Sequence, residues 1–225
     1  MSSAPIIYPP PDEKAIAAMT KIWSRHRLEP YLRRWENAYI PTIPEGFFDF
    51  SWRACDVGCG FGKYLIRESA RYRERGYLGI DKGRLRGGHM VNRFQRTGRP
   101  NLFGLHGNAI PILAAFPDAA LDQITLFYPN PWWPPKHRKK RWSYHPLLPK
   151  LIRLLKPGGT ILLTSNEPFY LGEWIYALEH HPHLQGLERQ YVGPVAVLEG
   201  RSHFETKFLR ENTPCGEVRY RKKKD

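Results

Sequence analysis

The chain runs to 225 residues, enough for one sizeable domain with additions at a soft prior of roughly 150 residues per domain. Its 41% hydrophobic content, with 7 Trp, 12 Tyr and 11 Phe, excludes a disordered segment. The 35 Lys and Arg against 21 Asp and Glu leave a net charge of +14, which suits a polyanionic partner because counterions displaced from phosphates drive association.

No apolar run approaches the roughly 18 residues that span a bilayer, and Met1 to Pro11 has no basic stretch followed by an apolar one. The chain therefore reads as soluble, unexported and without a membrane partner. Cys55, Cys59 and Cys215 form neither a disulfide framework nor a Cys-x-x-Cys pair, and they fit a reducing cytoplasm.

Residues 1–50 read as an N-terminal extension, in which prolines surround a basic, aromatic stretch of helical character from Trp23 to Trp35. Residues 51–225 read as one domain. There, Ala54–Val57, Tyr77–Ile80, Leu102–Leu105, Ile124–Phe127 and Thr160–Leu163 are predicted strands. Between them, Lys63–Arg73, Leu85–Gln95, Ile112–Phe116 and Leu147–Leu155 are predicted helices, the last stopped by Lys156-Pro157-Gly158-Gly159. Such alternation predicts an α/β fold with an open, mostly parallel sheet, whose ligand sits at the carboxyl ends of the strands. Residues Arg221 to Asp225 read as a solvated charged tail.

Asp56-Val57-Gly58-Cys59-Gly60-Phe61-Gly62 follows the first strand and opens a helix, a position where backbone comes close to a bound ligand. Two rival loops fail on counting. A dinucleotide G-x-G-x-x-G would need glycine at Lys63, and a phosphate loop would need glycine at Val57 and Ser or Thr at Tyr64. The segment instead resembles the first motif of class I S-adenosylmethionine-dependent methyltransferases. That resemblance implies a Rossmann-like, mostly parallel seven-stranded sheet with helices on both faces. It also implies a cofactor site built from Asp56, Gly58, Gly60, Gly62, Asp81, Asn108 and Ala109, with Asp81 accepting the ribose hydroxyls and Asn108 near the adenine; a plain turn role for Asn108 stays open.

Phe127-Tyr128-Pro129-Asn130-Pro131-Trp132-Trp133 leaves the fourth strand and runs directly into Pro134-Pro135-Lys136-His137-Arg138-Lys139-Lys140-Arg141. Prolines preset the backbone, tryptophans offer stacking surfaces, and cations can hold phosphates. This stretch resembles the P-D-P-W and H-x-K-R-R motifs of the tRNA (guanine-N7)-methyltransferase family. Ser202-His203-Phe204-Glu205, followed by Lys207, Arg210 and Gly216, resembles the family's T-x-F-E motif. The resemblance runs from about Arg53 to Arg221 and implies methyl transfer to N7 of a variable-loop guanine in tRNA.

The chain departs from the family at Asn130 and Asn166, each opposite an Asp, with Glu167 beside Asn166 as a possible substitute. Ser202 stands opposite Thr and Lys140 opposite Arg, while Arg33 and Arg34 are loose counterparts of an N-terminal arginine segment. Guanine N7 already carries a free lone pair, so the reaction needs alignment and acceptors for the purine edge rather than a general base. On that basis the catalytic set is Asn130, His137, Asn166, Ser202 and Glu205, with Glu205 the surviving carboxylate. Trp132, Lys136, Arg138, Lys139, Lys140 and Arg141 are the expected substrate contacts. A surface ion pair of Glu205 with Lys207 or Arg210 is the alternative for that acid.

Three functional readings follow: an active tRNA guanine-N7 methyltransferase, a weakened or inactive RNA-binding relative, and an amino-group methyltransferase suggested by Asn130-Pro131-Trp132. His180-His181-Pro182-His183 lacks a second ligand group at metal spacing and reads as a helix end.

Overall fold

The computed structural model describes residues 8–25, 28–33 and 39–224. The five predicted apolar runs form β1 (Trp52–Val57), β2 (Arg75–Asp81), β3 (Leu102–His106), β4 (Leu121–Phe127) and β5 (Leu155–Ser165). Two further strands, β6 (Leu187–Pro194) and β7 (Gly216–Lys222), complete a seven-stranded sheet of order β3-β2-β1-β4-β5-β7-β6. β1 to β5 pair in parallel and β7 runs antiparallel to both β5 and β6. The mostly parallel α/β sheet expected from the sequence is therefore present. β5 begins earlier than predicted, because Leu155 already pairs with Leu121 before the register shifts across the Lys156–Gly159 bulge.

Helices cover both faces. α3 (Lys63–Arg71) and α4 (Arg84–Arg96) pack Leu65, Met90 and Phe94 against Ala54, Tyr77 and Leu102. The opposite, larger core joins Cys55, Leu78, Ile124, Ile161 and Tyr220 to α5 (Ala109–Ala114), α6 (Leu148–Leu154) and α7 (Pro168–His180). Residues alternating along each strand face opposite sides of the sheet, which is why Ala54 and Cys55 belong to different cores. α8 (His203–Arg210) sits between β6 and β7 in sequence, and α2 (Glu29–Leu32) is a single turn.

The described part of the N-terminal extension packs onto this domain. α1 (Glu13–Ser24) is capped by Asp12, which accepts the Ala15 N–H at 2.6 Å, and it buries Met19 and Trp23. The Trp23 indole donates to the Ser143 carbonyl at 3.3 Å, and its ring lies 4.6 Å from that of His181. Upstream, the Tyr8 hydroxyl donates to the Gly193 carbonyl at 2.6 Å. The Pro9 carbonyl passes so close to Gly172 that any Cβ there would collide with it. Arg33 follows α2, whereas Arg34 lies outside the described residues. Among the described residues no helix is long and apolar enough to cross a membrane.

Candidate active site

The first three crossovers put the glycine loop, the turn after β2 and the turn after β3 along one edge of the sheet. Gly58, Gly60 and Gly62 have φ of +77°, +60° and +71°, a region that disfavours side chains. The three differ in surroundings. A Cβ on Gly58 or Gly60 would meet no atom within 4 Å, so these two line an open cradle, whereas one on Gly62 would overlap the Phe94 ring. Gly62 therefore has a second requirement besides its backbone conformation, the close approach of Phe94 from α4 to the start of α3.

Asp81 closes the cradle. Its Oδ2 accepts the Gly60 N–H at 2.9 Å and its Oδ1 the Gly83 N–H at 2.7 Å. Each oxygen keeps one acceptor site. Asn108 caps α5 by accepting the Ile110 N–H at 2.9 Å, and Ala109 begins that helix. Asp56 lies deeper, 1% exposed, where its Oδ1 accepts the Thr125 hydroxyl at 2.8 Å. Burial pushes the Asp56 acid up to about 7; the Thr125 hydrogen bond offsets this in part, and Asp81 adds to it. It supports the loop from beneath rather than lining the opening.

One strand away, the chain leaves β4 through two non-glycine residues of left-handed backbone, Tyr128 (φ +51°) and Trp132 (φ +46°). Such backbone persists only where the surroundings hold it. Asn130 Oδ1 accepts the Trp132 N–H at 2.9 Å, which closes the turn and uses one acceptor site of the amide oxygen. Arg141 braces the loop from below: Nε donates to the Pro131 carbonyl at 2.7 Å and Nη2 to those of Trp132 and Trp133 at 3.1 and 3.2 Å. Its Nη1 pairs with buried Glu173, and the guanidinium lies over Phe169. Arg141 is 3% exposed, which corrects its expected role as a phosphate contact.

Above that brace stand the exposed Lys136, Lys139 and Lys140 and the partly buried His137 and Arg138, in a 3-10 turn over Pro135–Lys140. Lys140 Nζ sits 4.3 Å from the Trp132 ring centroid and His137 meets the same ring 5.9 Å away, so Trp132 is already flanked. The exposed aromatic is Trp133, at 60%. Partial burial, followed by repulsion from Lys140, Lys136 and Lys139, holds His137 below the ordinary histidine range. Arg138 lies 3.9 Å from Asp12. At the end of β5, Asn166 donates to Glu167 Oε1 at 3.0 Å, and burial raises the Glu167 acid despite that hydrogen bond. This pair adjoins Tyr128, whose N–H donates to the Thr164 carbonyl at 3.0 Å.

Ser202 and Glu205 form the start of α8. Ser202 Oγ accepts the Glu205 N–H at 3.1 Å, as the serine of a capping box does. Glu205 is fully buried. Its Oε2 accepts Arg201 N and Nε at 2.7 and 2.9 Å, and its Oε1 accepts Arg201 Nη2 at 2.8 Å and the Tyr128 hydroxyl at 3.0 Å. Burial works to raise this acid, but the Arg201 hydrogen bonds and charge outweigh it and hold the acid below the usual range. Four donors fill the carboxylate, which leaves no oxygen for a guanine edge and corrects both the base-contact and the surface-pair expectations.

Arg201 itself, which sequence reasoning missed, bonds Glu217 Oε2 at 2.7 Å and lies 5.0 Å over Phe127. Lys63, at the start of α3, reaches Thr206 Oγ1 at 3.2 Å and Glu199 at 3.1 Å. α8 thus joins the glycine loop, the end of β4 and β7. The Ser-x-x-Glu spacing was the available signal for the cap, but nothing local announces Arg201.

The fold and its cradle define a class I methyltransferase. A "SAM dependent methyltransferase" structure from Aquifex aeolicus superposes with a TM-score of 0.52 at 19% identity, covering 91% of this chain and 98% of that one. The family model Methyltransf_4, described as "Putative methyltransferase", matches residues 52–217. A tRNA (guanine-N(7)-)-methyltransferase of Brucella melitensis is 33% identical over 161 residues, 69% of this chain and 68% of its own length. One from Rhizobium johnstonii is 28% identical over 169 residues, with 74% and 72% covered. The chain belongs to the tRNA (guanine-N7)-methyltransferase family.

Proposed function

We infer that this enzyme transfers the methyl group of S-adenosylmethionine to N7 of a guanine in the variable loop of tRNA, in the cytoplasm. The observation that carries this reading is the juxtaposition, along one sheet edge, of an open glycine cradle with the aromatic, cationic loop after β4. The donor set suits the cofactor: Gly58 and Gly60 leave room for it, and Asp81 retains one acceptor site per oxygen for a diol. When bound, S-adenosylmethionine supplies a methyl carried on a sulfonium, whose departure needs no acid.

The protein's own part is positioning, which can be worth roughly 7 to 11 kcal/mol. Asp81 orients the cofactor end of the cradle, and Asn108 fixes the turn after β3. Trp133, 60% exposed although its ring meets Phe169 at 5.0 Å, offers surface for stacking, while the exposed Lys136 and Lys139, and Lys140 once it leaves the Trp132 ring, can approach phosphates. Positive charge develops on the purine as N7 is alkylated, and acceptors at its N1 and N2 edge stabilise it. Asn130, Asn166 and Glu167 are the exposed or half-buried acceptors at the ends of β4 and β5. Arg201, Tyr128 and Glu205 hold that turn in place without touching the base.

The test is to incubate the purified protein with S-adenosylmethionine and unmodified tRNA, then treat the RNA with borohydride and aniline, which cleave at N7-methylguanine. Cleavage at one variable-loop position is expected. Methyl incorporation without cleavage would move the product away from guanine N7, to an exocyclic amine under the amino-group reading, and no incorporation would favour the binding-protein reading.

A further inference from the structure

α4 carries a charge pattern that neither the fold nor the cradle requires. From Lys82 to Arg99 the chain has six Lys and Arg, and no Asp or Glu occurs between Asp81 and Asp118. The helices α1, α3, α7 and α8 each contain at least one acid. Among the described residues none of Lys82, Arg84, Arg86, Arg93 and Arg96 forms an ion pair, and all five are exposed.

Three observations make this more than a solvated face. First, Lys82, Arg84 and Arg86 crowd the N-terminal end of α4, where the helix dipole is already positive and its first turn holds no acid. Cations there oppose helix stability, and an anion would relieve them. Second, Arg86, His89, Arg93 and Arg96 recur at spacings of three, four and three, which aligns them as one stripe. Third, that stripe borders the glycine loop. Arg93 Nη1 donates to the Phe61 carbonyl at 3.1 Å, and the Phe61 ring lies 6.3 Å from His89 and 6.1 Å from His203.

Topology gives the stripe its partner. β2 and β4 are the two neighbours of β1, so the segments that follow them flank the cradle on opposite sides, about 10 Å apart at the usual strand spacing. A nucleotide presented to the cradle carries polymer on both its 5′ and 3′ sides. The loop after β4 can hold one side only. We propose that the cationic face of α4 binds the phosphate backbone of the substrate RNA on the side of the cradle opposite the loop. This rests on the tRNA reading above, and it adds a second, independent phosphate track to it.

The experiment compares tRNA affinity across salt concentrations for the parent, a helix variant (Lys82→Gln, Arg84→Gln, Arg86→Gln, Arg96→Gln) and a loop variant (Lys136→Gln, Lys139→Gln, Lys140→Gln). Glutamine is nearly as good a helix former as arginine, so α4 should survive, and unchanged circular dichroism checks it. Each lost phosphate contact lowers the log-log slope by roughly 0.7 to 0.9, so the helix variant should lose about 3 units of slope and the combined variant the sum of both losses. A parent that binds tRNA beside a helix variant of identical slope overturns the α4 assignment alone. Helix substitutions that abolish binding to phosphatidylserine vesicles while sparing the RNA slope also overturn it, in favour of a membrane face. A parent that binds no tRNA overturns the substrate reading itself, and this inference with it.

Discussion

Asp56→Asn should make the protein more stable, and the gain should depend on pH. The carboxyl is buried beneath the glycine loop, with the Thr125 hydroxyl as its hydrogen-bond donor. Burial pushes it up to about 7 from an ordinary 3.8, a gap of 7 − 3.8, or about 3 units. Between those values the folded protein keeps a proton that the unfolded chain has released. Stability from this group is therefore fully present below about pH 4 and declines until about pH 7. At 1.36 kcal/mol per unit the loss is about 4 kcal/mol. Asparagine keeps the oxygen that accepts from Thr125 and carries no charge. Thermal unfolding of parent and variant should nearly coincide at pH 4 and separate by roughly 10 °C at pH 8, since 1 kcal/mol shifts a chain of this size by about 2 to 4 °C. A difference in melting temperature that stays constant from pH 4 to 8 would refute the argument, because it would mean the carboxyl titrates alike in both states.

Tyr128→Phe removes one hydrogen bond to the buried Glu205 carboxylate and should lower stability by about 1.5 to 3 kcal/mol, read by urea unfolding. Its single-turnover methylation rate should fall further than its tRNA affinity. Arg141→Met strands Glu173 in the interior and should lower stability by about 3 to 5 kcal/mol, while Arg141→Met with Glu173→Met regains most of it. The double variant should keep the parental salt slope for tRNA, and a reduced slope would restore Arg141 to the phosphate contacts. Asn130→Asp preserves the turn to the Trp132 N–H and adds a charged acceptor, so methylation should speed up about tenfold in a single-turnover assay. A slower Asp variant would show that Asn130 does not face the cationic purine.

The parallel half of the sheet was legible because each of β1 to β5 carries a short, mainly apolar run that joins the core on one face or the other. β6 was not, since it is the edge strand and exposes Glu188, Arg189, Gln190 and Tyr191. β7 alternates buried Val218 and Tyr220 with exposed Arg219 and Arg221, a period-two signal that its basic composition masked. At the site, spacing located the glycine loop but could not separate Gly58 and Gly60, which face open space, from Gly62, which faces Phe94. A run of five cations at 136–141 likewise gives no local sign that Arg141 turns inward. That depends on Glu173, 32 residues further on. For Glu205 the sequence offered three cations within five residues, Arg201, Lys207 and Arg210, and did not say which one pairs with it; its other partner, Tyr128, is 77 residues away.

The N-terminal strap has a consequence for how the chain is made. Tyr8 closes on Gly193 across 185 residues, and Trp23 closes on Ser143 across 120. At a synthesis rate of roughly 5 to 20 residues per second, Tyr8 waits about 10 to 40 s for its acceptor to be translated. For the first part of that interval, until Ser143 and α7 have been made, Met19 and Trp23, buried in the finished protein, lack much of the core they join. The strap must therefore be among the last parts to dock, after α7 has presented Gly172 to the Pro9 carbonyl. A ribosome-bound chain halted before α7 emerges would expose those residues to proteases and chaperones, and the released protein would not.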